Sequence, residues 1–523
     1  MELDIFALLN KRIARHTKIC FVTGMLVGWL THFYMLTHKL VNWDDINNLS
    51  AWGSGDYLGR WFLKYIHGIG SGHSIPAVNG VLFIVCLSLS ACIILEIVQI
   101  RSTVGAVLTP MVLLTFPSVV STMTFMFMAH TSGIGILMVC AAVYLLRRYR
   151  FGWLPCGVLL IFALGTYQSY ISFAITLMLM GMIADVFHGK GFAEVLRRGI
   201  LCVLVLAVSV LIYIRLSHII WPNIDNETYG GVGNMGKIAV SEMPRLIGRC
   251  YKRFLEYFLW KPFAFVSAAA RRANVLTCAL AIVLFGILTV QRRLYKDVLT
   301  FLLLLVVCFF MPLAAAFIYF MAPEADYSML MLYAYALIYV EVLALLEYCM
   351  QDWGRLTAPE PWRRAAAYGM VAVTALTIFV SCYTDYLLTN RAYLRTDLAT
   401  ERVKAYFTRV ISLAESTEGF QSDDKIAILG EFYYRDNPSS VELDVLDSED
   451  LRELSGVALE NGLITSGVRD NFIRTFVGYE PAALDGEQKN ALMDTEIYRD
   501  MPVYPADGCV EKINDIWVVK MCE

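Results

Sequence analysis

The chain alternates long apolar runs with short polar connections. Runs of the length that crosses a bilayer, about 20 residues, lie at 18–40, 76–99, 199–220, 273–290, 298–321, 328–350 and 365–388. Two further stretches, 103–146 and 152–186, are too long for one crossing each. Pro110 and Pro117 with Ser118 and Ser121 interrupt the first, and the polar series from Thr166 through Gln168 to Tyr170 interrupts the second. Each therefore reads as a helical hairpin. The pattern predicts a polytopic α-helical membrane protein with about 11 spans. After Leu388 the pattern changes. Asp397 to Leu413 repeats with helical period, 425–430 reads as a strand, and Val510 to Met521 reads as a hairpin turning at Asn514 and Asp515. A small α/β domain follows from these signals, which divides the chain into a membrane domain, 1–389, and a C-terminal domain, 390–523.

Composition agrees. Hydrophobic residues make up 58% of the 523 positions, charged residues only 17%, and the mean hydropathy is +0.57. A soluble domain carries about a quarter charged residues. The net charge of −3 gives no footprint for nucleic acid. The 13 cysteines form no CxxC pair and no Cys/His cluster at metal spacing, which argues against a zinc site. Cys509 and Cys522 lie in the C-terminal domain, where an oxidising compartment would let them pair. The N-terminus is basic before the first apolar run, as in a signal peptide, but that run is long enough to span and lacks a small-residue cleavage site; an uncleaved first helix is expected.

Orientation follows from the basic residues. Arg12, Arg15 and Lys18; Arg101; Arg147, Arg148 and Arg150; Lys190, Arg197 and Arg198; Arg292, Arg293 and Lys296; and Arg355, Arg363 and Arg364 fall on alternate connections, and the positive-inside rule assigns all of them to the cytoplasm. The C-terminal domain and the long connections 41–75 and 221–272 are then extracytoplasmic.

Candidate chemistry sits on these outer segments. Asp44 and Asp45 are adjacent carboxylates just past the first span, and ionisable groups at such a boundary are often functional; the alternative is that Asp44 caps a short helix. Leu58, Trp61, Phe62 and Tyr65 recur at helical spacing, with Arg60, Lys64 and His67 opposite, which predicts an amphipathic helix in the headgroup plane. A second such helix has Ile247, Tyr251, Phe254, Leu255 and Phe258 on one face and Arg245, Arg249, Lys252 and Arg253 on the other. A basic face outside the cytoplasm needs an anion, either lipid headgroups or a lipid-linked phosphate. Lesser signals are His130 at the outer start of a span, Gln168 and Tyr170 in a hairpin tip, and Glu324 and Asp326 between two spans. Glu341 is the one carboxylate deep in an apolar run.

Together these features resemble the bacterial and phage membrane glucosyltransferases that modify O-antigens and change serotype, within the GT-C class of polytopic glycosyltransferases. The resemblance spans nearly the whole chain. It rests on Asn42-Trp43-Asp44-Asp45 followed by Gly59-Arg60-Trp61, on the hairpin from Gly165 to Tyr170, and on the ending from Met501 to Pro505 and from Ile513 to Lys520. One departure is His130, where an acidic residue is expected. The resemblance implies transfer of a hexose, glucose in this family, from a polyprenyl-phosphate carrier to a hydroxyl of a cell-surface glycan, with inversion, at the outer face of the bacterial cytoplasmic membrane. It implies Asp44 or Asp45 as general base, Arg60, Arg245, Arg249 and Arg253 at the donor phosphate, and Trp61, His130, Gln168, Tyr170, Glu324 and Asp326 as substrate-binding candidates, with no metal and no cofactor. The rival readings are a transporter or flippase of a lipid-linked glycan and a glycan polymerase. Transporters tend to carry inverted repeats and midplane ionisable groups, and only Glu341 points that way.

The orientation is directly testable. A reporter fused after Glu523 should register outside the cytoplasm and one fused after Arg150 inside it; a cytoplasmic signal from the first would invert the topology.

Overall fold

A backbone in hydrocarbon must satisfy its own hydrogen bonds, so apolar runs cross it as helices. The computed structural model describes residues 13–50, 55–70, 72–227, 233–260, 262–325, 327–354, 360–430, 449–457 and 459–522. The chain divides into two units: unit 1 takes Met1–Lys39, Trp52–Asn390 and Glu453–Ser455, and unit 2 takes Leu40–Ala51, Arg391–Arg452 and Gly456–Glu523.

Unit 1 is helical. Its helices are α1 (Arg15–Thr37), α2 (Val81–Val98), α3 (Thr103–Thr115), α4 (Pro117–Met123), α5 (Ala129–Arg148), α6 (Trp153–Thr166), α7 (Tyr170–Phe187) and α8 (Phe192–Ile220). They are followed by α9 (Met243–Leu255), α10 (Ala268–Gln291), α11 (Val298–Ala315), α12 (Ala336–Gly354) and the 55-residue α13 (Pro361–Glu415), whose residues through Asn390 belong here. Among the described residues nine helices are long and apolar enough to cross a membrane, or ten if the bent pair α3–α4 is one span. The eleventh expected span is α6. At 14 residues it is about 21 Å long, short of the roughly 30 Å hydrocarbon core.

Each of the two long stretches gives two helical arms. In the first, Pro110 lies inside α3, the arm bends by 48° at Phe116 between α3 and α4, and the break between the arms lies after Met123, before α5 begins at Ala129. The ring of Pro117 excludes the helical region for the residue before it, and Phe116 accordingly takes φ −55° and ψ 140°. Helix α7 is almost wholly buried, whereas α8 is exposed along most of its apolar length. An apolar helix left uncovered by protein is a lipid-facing one.

The first expected amphipathic helix does not form. The chain instead makes a 3-10 turn at Asp56–Leu58, a left-handed Gly59 with φ +71°, and a single helical turn at Leu63–Ile66. Tyr65 is exposed and His67 buried, the reverse of the periodicity. In α9 the buried stripe is Leu246, Cys250 and Phe254, continuing through Tyr257 and Phe258, with Ile247 partly exposed. The apolar face is therefore rotated by about one residue from the expected one.

Unit 2 contains a three-stranded sheet in the order β1 (Ile426–Leu429), β3 (Ile516–Lys520), β2 (Val510–Ile513), with β1 parallel and β2 antiparallel to β3. Asn514 and Asp515 have φ of +49° and +63°, the left-handed pair that a two-residue hairpin turn demands. Ile426, Ile428, Trp517 and Val519 face one core with the end of α13, from Ala399 to Ala414; Ala427, Leu429 and Val518 face a second. Buried Arg469 donates to the carbonyls of Ile428 (2.6 Å) and Gly430 (3.2 Å) at the end of β1. Cys509 and Cys522 are both free thiols.

The segment Leu40–Ala51 also belongs to unit 2. Val41 and Ile46 lie in its first core and Trp43 packs against them. A short helix, Trp43–Asn47, carries both acidic candidates in its first turn, and Asn42 caps it by accepting from the amides of Asp44 (3.0 Å) and Asp45 (2.8 Å). The cap is therefore Asn42 and not Asp44.

Glu460 anchors this unit. It receives Arg395 at 2.6 Å and Arg402 at 3.0 Å. Burial alone would raise its carboxyl, but the Arg395 and then the Arg402 contacts outweigh burial and hold it below the ordinary value. A depressed folded value gives stability that is present above the unfolded value, about 4.3, and lost as pH falls through the folded one. Removing one partner of a buried pair costs about 3–5 kcal/mol. Arg395→Met should therefore lower the unfolding midpoint of unit 2 in the full chain and reduce its acid dependence below pH 4.3; an unchanged midpoint would show the pair to be dispensable.

Candidate functional site

The turn from Gly55 to Ile66 in unit 1 is held by a hydrogen-bond node. The Gln168 side-chain amide donates to the Leu58 carbonyl and to the Tyr213 hydroxyl (2.8 Å), and Tyr213 donates to the Gly59 carbonyl (3.1 Å). Glycine is required at 59 twice over. Its φ is left-handed, and a Cβ there would lie 2.5 Å from the Tyr213 hydroxyl. Arg60 returns its amide to the Gly55 carbonyl (2.8 Å), closing the turn, and Phe62 donates its amide to the Gly165 carbonyl (2.8 Å). Trp61 is buried with Leu164, Ile171 and Tyr213, and its ring lies where a Cβ on Gly165 would stand, at 2.8 Å. The Gly59-Arg60-Trp61 motif is thus docked on the α6–α7 break, the Gly165 to Tyr170 motif.

The polar residues Gln168 and Ser169 sit at the break between α6 and α7. Tyr167 is extended, and α7 restarts at Tyr170. The Arg60 guanidinium lies over the Tyr167 ring at 4.6 Å, and its Nε is buried with no hydrogen-bond partner among the described residues. Tyr170 donates to the Ser132 carbonyl (3.2 Å). Tyr167, Tyr170, Ser118, Thr122, Ser132 and Tyr333 line a small cavity.

Asp56 is a carboxylate in this segment that the sequence pattern does not single out. One oxygen receives Lys64 at 2.9 Å. The other is buried with no hydrogen-bond partner among the described residues. The Asp56 contact in turn raises the Lys64 ammonium above its ordinary value, keeping it charged. Tyr213 is equally invisible in sequence, being 154 residues from Gly59.

His130 lies nearby in sequence-distant company. Its Nε2 donates to the His67 carbonyl at 3.1 Å, and the two rings are 5.7 Å apart. Burial holds the His67 imidazole below its ordinary value. Asn79 donates to the carbonyls of His73 (2.9 Å) and Met126 (3.0 Å). His130 therefore acts as a brace between loop and helix, with Nδ1 unpartnered among the described residues.

The basic helix α9 forms a second group. Arg249 donates to the Pro323 carbonyl (2.8 Å) and lies over the Tyr327 ring (4.9 Å). Arg253 pairs with Glu256 at 3.0 Å, and the exposed Arg245 pairs with Glu242 at 3.3 Å. Glu324 accepts from Asn234 at 2.8 Å. Asp326 lies outside the described residues. Glu341 is buried in α12 with neither carboxylate oxygen hydrogen-bonded among the described residues. In unit 2, Asp45 is fully buried and Asp44 half-buried. Among the described residues no three His, Cys, Asp or Glu side chains are grouped to hold a metal ion.

The node is open to a stability test. A left-handed backbone costs a non-glycine residue about 1–2 kcal/mol, before any displacement of Tyr213. Gly59→Ala should lower the unfolding midpoint of the full chain in detergent. Gly248→Ala, in α9 with open space around its Cβ position, should leave it unchanged or raise it, since alanine favours a helix by about 0.5–1 kcal/mol over glycine. Equal midpoints would contradict the assigned role of Gly59.

No curated protein and no solved structure matches this chain. A family profile does: the one described as Glucosyl transferase GtrII matches residues 33–346. That range is more than half of the 523 residues, and it takes in the docked Gly59-Arg60-Trp61 turn, the α6–α7 break and helix α9. The chain belongs to the GtrII glucosyl transferase family and is a glucosyltransferase with several membrane-spanning helices.

Proposed function

We propose that the enzyme takes glucose from a polyprenyl-phosphate carrier at the outer face of the bacterial cytoplasmic membrane. It passes the sugar to a hydroxyl of a cell-surface glycan with inversion, in a GT-C-type arrangement. The observation that carries this reading is the pair of cation-on-aromatic sites in unit 1, Arg60 over Tyr167 and Arg249 over Tyr327. A lipid phosphate leaving group needs no proton but gains from fixed guanidinium donors. The unpartnered Nε of Arg60 suits that role, with Arg245, Arg249 and Arg253 as further phosphate ligands. Tyr170, His130, Glu324 and Asp326 remain sugar-binding candidates. Trp61 and Gln168 act by positioning, because both Gln168 amide protons are already engaged.

Displacement at an anomeric carbon has oxocarbenium character and calls for a carboxylate at the incoming hydroxyl. Asp44 is the preferred base. Its side chain is partly exposed while that of Asp45 is fully buried, and the capping duty that would otherwise explain an acidic residue falls to Asn42. Asp45 then holds the turn. Asp56 is the competing candidate, on the strength of its unpartnered oxygen.

Four single variants separate these roles. At saturating donor, Asp44→Asn should slow turnover by about 10²–10⁴-fold, the usual size of general-base catalysis, with the unfolding midpoint unchanged. Asp56→Asn should act mainly on donor affinity through Lys64 and Arg60. If Asp44→Asn retains more than about a tenth of the activity and Asp56→Asn does not, the base is Asp56. For the donor phosphate, Arg249→Ala or Arg253→Ala should raise the apparent KM for the lipid donor by about tenfold or more, a bond to a charged group being worth about 1.5–3 kcal/mol. Unchanged donor kinetics in both would make α9 a membrane anchor.

A further inference from the structure

A second charged centre lies at the other end of unit 1, away from the Gly59 turn. There the C-terminal ends of α2, α5 and α7 converge with the N-terminal ends of α3 and α8 around a cavity of about 530 Å³. Asp185, at the end of α7, has a fully buried side chain. It receives both terminal nitrogens of Arg147 (2.9 and 3.2 Å), Lys190 (2.9 Å) and Arg198 (2.9 Å). One carboxylate thus fixes three cations from two connections. Gly181 makes room for this, since a Cβ there would lie 2.5 Å from the Arg147 guanidinium.

The cluster is not neutral. Five cations line the cavity, Arg101, Arg147, Arg148, Lys190 and Arg198, against two carboxylates, Glu96 and Asp185. Glu96 is itself engaged by His16 at 2.8 Å. Counting Glu194, which bridges Arg198 (3.1 Å) and Lys190 (3.5 Å) from the rim, five positive charges face three negative ones and an excess of two remains. Arg101 and Arg148 are exposed and have no ion-pair or hydrogen-bond partner among the described residues. Three partly buried cations fixed by one carboxylate, with two exposed and unpaired arginines at the rim, make an anion site. The five elements around it are the ends of apolar helices, so its mouth lies at headgroup level.

We propose that this cavity binds the phosphate of an anionic phospholipid headgroup. The clamped Arg147, Lys190 and Arg198 form the floor, and Arg101 and Arg148 close on the phosphate from the rim. The positive-inside reading puts this end at the cytoplasmic leaflet, whose anionic lipids attract such clusters. The site is independent of the glucosyl-transfer chemistry at the outer segments.

The full-length protein in neutral detergent is titrated with dioctanoyl-phosphatidylglycerol, dioctanoyl-phosphatidylcholine and inorganic phosphate, with bound species counted by native mass spectrometry. Saturable binding of phosphatidylglycerol in preference to phosphatidylcholine is expected. The double variant Arg101→Gln/Arg148→Gln should weaken it by about tenfold or more. This variant spares the Asp185 clamp, and an unchanged unfolding midpoint confirms its fold. Arg150→Gln, outside the cavity, should bind as the parent does. Equal binding of the two lipids, or a double variant that binds phosphatidylglycerol like the parent, overturns the proposal. Inorganic phosphate binding as tightly as phosphatidylglycerol overturns the headgroup assignment in favour of a soluble phosphate.

Discussion

The hydrogen bonds from Gln168 and Tyr213 to the carbonyls of Leu58 and Gly59 are the constraint on which the Gly55–Ile66 turn of unit 1 depends. These groups are buried, and a buried polar group left unpaired costs far more than a made bond returns. The left-handed Gly59 therefore has one place to sit, against the break between α6 and α7. Its placement carries Trp61 into the apolar cluster against Gly165 and swings Arg60 over Tyr167. The break also explains the short α6. The helix stops at Thr166, where it meets this loop, and the Tyr167 and Gln168 that follow are the residues that touch it.

Three buried polar atoms of this turn and of the helix start that meets the following loop lack a hydrogen-bond partner. The Nε of Arg60, one oxygen of Asp56 and Nδ1 of His130 are all buried without hydrogen bonds among the described residues. Such atoms also occur elsewhere in unit 1, as at Glu341 in α12, so it is the Arg60 and Asp56 atoms beside the Gly59 turn that bear on the proposed donor site. The basic end at Asp185 follows the opposite logic. There the carboxylate is over-supplied with donors and the excess charge is positive. The two ends of unit 1 thus present different chemistry, a mixed acidic, basic and aromatic surface at one and a phosphate-type cradle at the other.

What the sequence made legible was local. Apolar length and hydropathy located each long helix, because crossing hydrocarbon depends on a contiguous run. Asn514 and Asp515 signalled their turn because the left-handed conformation is a property of those residues. The polar series at Gln168 signalled the α6–α7 break. Periodicity failed where distant contacts decide. Leu58 to Tyr65 has the spacing of an amphipathic helix, yet hydrogen bonds from Gln168 and Tyr213 impose a turn at Gly59. In α9, Phe254 and Phe258 fit either of two adjacent stripes, and only packing selects the one with Leu246 and Cys250. The grouping of Leu40–Ala51 with unit 2 rests on Val41 and Ile46 joining a core built mainly from residues after Ala399, which no local pattern encodes. Asp56 escaped notice because a single carboxylate beside a lysine is unremarkable until one of its oxygens is found buried and unpartnered.

A lipid-phosphate donor is the proposal on which the reading of the Arg60 and Arg249 sites turns. The most direct measurement incubates the purified full-length protein with a glycan acceptor and either polyprenyl-phosphate-linked radiolabelled glucose or a nucleotide-linked glucose, and follows label into the glycan. Incorporation from the polyprenyl-phosphate donor alone is expected, with inverted anomeric configuration in the product. Incorporation from the nucleotide sugar in the absence of the lipid donor would contradict it.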